Sequence, residues 1–128
     1  MEAKDIIEWI INIPCEYYAL KNISFYTLLK NTGYFKINYE IDEADIVEAL
    51  RNRPEIVQYW IQWSEDKRTD SGWYIEVVNS GRYIVGYYPA NRNKKPKNYS
   101  DKIEACAAFI KREIQSIKNG SIIQYTEH

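Results

Sequence analysis

The sequence predicts an α+β domain: an N-terminal helical cluster, a central antiparallel β-hairpin, and a long C-terminal helix packed on the hairpin. Three observations predict it. Apolar residues recur at helical spacing through the first half of the chain, and two aromatic and β-branched runs flank Asn79-Ser80-Gly81. Near the C-terminus Ile103, Cys106, Ala107, Ile110, Ile114 and Ile117 form a single helical stripe. At 128 residues the chain has the length of one domain, and no stretch reads as a linker, a repeat or a low-complexity tract. Residues 1–128 are therefore expected to form a single globular domain.

Between residues 4 and 12, Ile6, Ile7, Ile10 and Ile11 lie at the spacing of an amphipathic helix, with a buried strand as the second reading, and Pro14 is expected to end the element. Ser24 is suited to cap a second helix running to Asn31, with Phe25, Leu28 and Leu29 on its inner side. Asp42-Glu43-Ala44-Asp45 reads as the start of a third, whose apolar positions are Ala44, Ile46, Val47 and Leu50. Pro54 fits the first turn of a fourth. Its inward stripe is Ile56, Val57, Trp60 and Ile61, with Tyr59 and Trp63 off the stripe and Lys67 and Arg68 at its negative end.

The hairpin runs Trp73 to Val78 and Arg82 to Tyr88, around a loop whose Gly81 suits the left-handed position. Pairing Val78 with Arg82 brings Trp73, Ile75 and Val77 opposite Tyr87, Val85 and Tyr83 on the core face, and lays Tyr74 over Gly86 on the other. Pro89 to Tyr99 reads as an exposed, mobile loop. Asp101 and Glu104 open the last helix, expected to reach about Lys118 and stop at Asn119-Gly120. Ser121 to Tyr125 fits either a short edge strand or a loose tail.

Function is bounded mainly by what is missing. No run approaches the roughly 20 apolar residues of a membrane span, and the start Met1-Glu2-Ala3-Lys4-Asp5 lacks the basic opening of a signal peptide. A cytoplasmic protein without a membrane partner is expected. The only histidine is His128, which leaves a serine or cysteine nucleophile without its usual base. Cys15 has no adjacent cation, and Cys106 falls on a helix stripe, so both read as core thiols. No cofactor motif or metal-ligand spacing is present. The expectation is a protein that is not an enzyme, with no catalytic, cofactor-binding or metal-ligating residues.

Binding is the remaining class, and two surfaces qualify. The first is acidic, built from Glu40, Asp42, Glu43, Asp45 and Glu48 with Tyr39, Tyr59 and Trp63 as aromatic anchors, and it suits a basic protein partner. The second is the basic loop Arg92, Lys94, Lys95 and Lys97, flanked by Tyr87, Tyr88 and Tyr99, a mixture used to hold single-stranded nucleic acid. The formal net charge of −1 gives the domain as a whole no pull toward a polyanion, which disfavours nucleic acid as the main partner.

A resemblance sharpens the first surface. Trp63-Ser64-Glu65-Asp66-Lys67-Arg68, Ser71-Gly72-Trp73-Tyr74, Tyr83-Ile84-Val85-Gly86-Tyr87-Tyr88 and Ala105-Cys106-Ala107-Ala108-Phe109-Ile110 resemble small bacterial proteins found beside polymorphic toxins. Among these are the immunity proteins of contact-dependent growth inhibition systems. The likeness covers residues 57–114, about half the chain. It implies a stoichiometric inhibitor that captures one toxin domain, often a nuclease, and it carries over no catalytic residues, because such proteins work by binding.

Overall fold

A computed structural model of the chain describes residues 3–37, 41–67, 72–79, 81–90 and 92–126. The α+β class holds. Five helices come first: α1 (Ala3–Ile11), α2 (Ile13–Leu20), α3 (Phe25–Asn31), α4 (Glu43–Asn52) and α5 (Val57–Asp66). The strands β1 (Gly72–Asn79), β2 (Arg82–Tyr88) and β3 (Lys97–Tyr99) follow, and α6 (Lys102–Thr126) closes the chain.

Helix α6 packs against all three strands and against α4 and α5. Six successive residues, Ala105 to Ile110, are therefore fully buried, where the sequence pattern predicted a single inward face. A helix buried all round needs small residues where neighbours approach closely, and Ala105, Ala107 and Ala108 provide them while Phe109 meets Trp60 edge-on. The start of α6 is fixed by Asp101, whose Oδ1 accepts from the backbone N–H groups of Ile103 and Glu104.

Several other expectations need correction. Pro14 does not end the first helix region: it occupies the first turn of α2, where its missing N–H costs nothing. Ala44 is exposed, and Ala49 takes the inward position on α4. The stretch after Pro89 is not loop throughout, because Lys97–Tyr99 pairs antiparallel with β2 and completes a sheet of order β1-β2-β3. Nor does Asn119-Gly120 stop α6, which continues as helix to Thr126 and so excludes an edge strand there.

The hairpin follows the predicted register from Trp73↔Tyr87 to Val77↔Tyr83, but Val77, expected on the core face, is 48% exposed near the tip. At the tip Asn79, not Val78, faces Arg82, so Val78 is the extra residue of a bulge. Gly81 takes φ +91, open to glycine at little cost. Tyr74 lies over Gly86 so closely that a Cβ there would stand 2.6 Å from the tyrosine oxygen.

The junction of α5, β1 and α6 ties together several buried polar groups. Trp60 is fully buried and donates from Nε1 to the Ile11 carbonyl at 3.0 Å. One turn later Ser64 Oγ accepts from Ile75 N–H at 2.9 Å and donates to Ile75 C=O at 3.1 Å. Ile75 faces Val85 on β2 while its own N–H and C=O point outward, so this hydroxyl satisfies both groups at the free edge of β1. At the end of α5, Lys67 Nζ lies 2.7 Å from Glu113 Oε2, which also accepts from Trp63 Nε1 at 3.0 Å.

Candidate functional site: an acid-lined cleft

Helix α4 is divided by charge into two sides. One side is fastened to α6: Glu43 pairs with Arg112 at 3.5 Å, Arg51 pairs with Asp101 at 3.1 Å, and Lys111 donates to the carbonyl of Ile41 just before the helix. With Glu43 and Arg51 turned toward α6, the helical period carries Asp45, Glu48 and Asn52 to the other side. There they meet α1.

The inner stripe of α1 packs Ile6, Ile7, Ile10 and Ile11 into the core, and its flank carries Lys4 and Glu8, one turn apart. Between α1 and α4 lies an open cleft of about 300 Å³ lined by Lys4, Ile7, Glu8, Asp45, Glu48, Ala49 and Asn52. Its floor is apolar, from Ile7 and Ala49. Its walls hold three carboxylates against one ammonium. No described residue forms an ion pair with Glu8, Asp42, Asp45 or Glu48. The indole of Trp9, next to Glu8 along the chain, is 43% exposed.

The predicted acidic surface is thus only partly assembled. Asp45 and Glu48 line the cleft, Asp42 is exposed at the start of α4, and Glu43 is engaged with Arg112. Tyr59 is 39% exposed on α5. Trp63 is half-buried: it stacks on Phe25 at 4.3 Å, meets Tyr17 edge-on at 5.0 Å, and spends its N–H on Glu113. Tyr39 and Glu40 lie outside the described residues. Glu8 and Lys4 were missed by sequence reasoning. Their spacing of four residues beside Ile7 was visible, but nothing in the sequence says that α1 lies alongside α4.

The basic residues occupy a different part of the fold. Arg92 and Lys95 are exposed, Lys94 places Nζ 4.1 Å from the ring centre of Tyr87, and Lys97 on β3 places Nζ 5.4 Å from that of Tyr99. The tyrosines predicted to flank the loop therefore hold its lysines.

Neither thiol is set up as a nucleophile. Burial pushes the Cys15 thiol up against a weaker downward pull from the Arg53 guanidinium, and complete burial pushes Cys106 up as well. Burial, followed by its hydrogen bond to Asp66, also pushes the Tyr18 hydroxyl up. Among the described residues no group of three or more His, Cys, Asp or Glu side chains is arranged to hold a metal ion. None of their helices is long and apolar enough to cross a membrane. No family model, curated protein or solved structure matches the chain.

Proposed function

We propose that this chain is an immunity protein that neutralises a bacterial toxin domain, often a nuclease in such systems, by stoichiometric binding. The capture surface in this reading is the α1–α4 face. It acts in the cytoplasm as a binder and not as an enzyme. The observation that carries the reading is the cleft: Glu8, Asp45 and Glu48 stand around an apolar floor, with no ion pair to any described residue, on two helices whose other sides are packed against the rest of the fold. The resemblance over residues 57–114 supplies the class of partner.

The physical logic is that of an inhibitor, where rigidity and charge set the outcome. A nuclease that grips a phosphate backbone presents cations around its active site, and an acidic face attracts the same cations. Attraction between exposed charges acts mainly on encounter, while an anchor such as Trp9 slows departure once desolvated.

The test is co-expression in bacteria with candidate toxin domains taken from the genes that neighbour this one. Growth should be restored by the wild-type chain and reduced by the triple substitution Glu8→Gln, Asp45→Asn and Glu48→Gln. Growth arrest that the wild-type chain leaves untouched would remove the reading, and protection unchanged in the triple variant would remove the cleft from it.

A further inference from the structure

The two helices that wall the cleft run in the same direction. Arg53, just past the end of α4, donates from Nη2 to Oδ1 of Asn12, just past the end of α1, at 3.5 Å. Both helices rise by the same amount per residue, so equal counts back from this tie reach the same level. Four residues back stand Glu8 and Ala49, and eight back stand Lys4 and Asp45. The charges of the cleft are therefore sorted. One end sets an ammonium beside a carboxylate. The other sets Glu8 of α1 across from Glu48 and Asn52 of α4, with no cation among the residues that line it. Arg53, one residue beyond Asn52, is turned to Asn12 and Glu55.

The features of that second end describe its occupant. Carboxylates stand on both walls, so the occupant is a cation whose donors reach two sides at once. The floor of Ile7 and Ala49 is apolar, so a hydrocarbon stem leads to the charge. A volume of about 300 Å³ lies at the lower end of small-molecule sites, which admits one side chain and excludes a helix or a strand. A guanidinium on its stem has this form: its N–H donors fan out in one plane, and it is more weakly hydrated than an ammonium.

We propose that the Glu8–Glu48 end of the cleft is a pocket for one arginine side chain of a partner protein. The guanidinium bridges the two carboxylates and donates to the Asn52 side-chain carbonyl, while the methylenes lie on Ile7 and Ala49. The pocket deepens the inhibitor reading and rests on it for the source of the arginine, the cationic surface of the toxin domain.

The experiment needs no toxin. Methyl and amide NMR spectra of the whole chain are followed during titration with N-acetyl-arginine methylamide, with the corresponding lysine compound, and with the citrulline compound, a neutral isostere. The arginine compound should give saturable shifts at Ile7, Glu8, Ala49 and Asn52, with a dissociation constant on the order of 1 mM. The lysine compound should bind at least about threefold more weakly, and the citrulline compound should not saturate. Glu8→Gln with Glu48→Gln should weaken arginine binding about fivefold or more. Ala49→Leu, which fills the floor without changing charge, should abolish the saturable shifts in a chain whose amide spectrum shows the fold retained.

Absence of saturable shifts in the wild type would overturn the proposal, as would equal binding of the lysine compound or arginine binding unchanged in the double glutamine variant. Protection in the growth assay without an arginine pocket overturns this inference alone. An arginine pocket in a chain that protects against no toxin upholds the pocket and removes the toxin as its partner.

Discussion

The α5–β1–α6 junction and the α1–α4 face use the same residue types to opposite ends. At the junction, Glu113 is almost fully buried and its Oε2 is shared by Lys67 and the Trp63 indole. On the α1–α4 face, Glu8, Asp45 and Glu48 form no ion pair with a described residue, and the Trp9 indole, next to Glu8 along the chain, is 43% exposed. A tryptophan or a glutamate is therefore structural or available according to what the fold brings to it, and composition alone does not separate the two. The junction should respond to substitution with stability, the face with binding.

The largest effect should come from Trp60→Ala. It removes a fully buried ring that meets Phe25 and Phe109 and bonds the Ile11 carbonyl, and it should cost about 3–5 kcal/mol in denaturant unfolding. Glu113→Ala comes next, because it leaves the mostly buried Lys67 ammonium without its counter-charge and the Trp63 N–H without its acceptor. A loss of about 3 kcal/mol is expected by the same measurement. Ser64→Ala is smaller, about 1–3 kcal/mol, since two backbone groups of Ile75 lose their partner. Its local signature is faster amide exchange at Ile75.

Asp101 offers a pH-resolved case. Partial burial pushes its carboxyl up, but the Arg51 guanidinium and the N–H groups of Ile103 and Glu104 outweigh that and hold it below the usual carboxylate range. A carboxyl lowered in the folded state contributes stability in full above its unfolded value, near pH 4, and loses it as pH falls through the lower folded value. Asp101→Ala should therefore cost about 1 kcal/mol at neutral pH, the loss of a helix cap, and the gap from wild type should narrow on acidification below about pH 4. A constant gap down to low pH would contradict the capping role. The smallest effect on stability belongs to the acidic face: Glu8→Gln, Asp45→Asn and Glu48→Gln together should stay within about 0.5 kcal/mol of wild type.

The junction was legible in the sequence as a place, and its bonds were not. The run from Trp60 to Val78 reads directly as a corner between a helix and a strand, and Tyr74 over Gly86 follows from strand alternation alone. That Glu113 would meet Lys67, 46 residues away, depends on how α6 lies against α5, which no local pattern encodes. Helix α2 was hidden because Pro14 both terminates and initiates helices. Strand β3 was hidden because Lys-Asn-Tyr has little strand propensity and is held by its pairing with β2. At the face, Asp45 and Glu48 could be read from the α4 pattern, whereas Glu8 joined them only through tertiary packing.

Calorimetric titration of the wild-type chain with the cognate toxin domain that the proposed function requires, repeated with the Glu8, Asp45 and Glu48 triple variant, tests the central claim most directly. The account predicts a one-to-one complex for the wild type and an affinity at least tenfold lower for the triple variant at low salt, with the difference shrinking as salt is raised. No complex with the wild-type chain, or equal affinity for both at low salt, would contradict it.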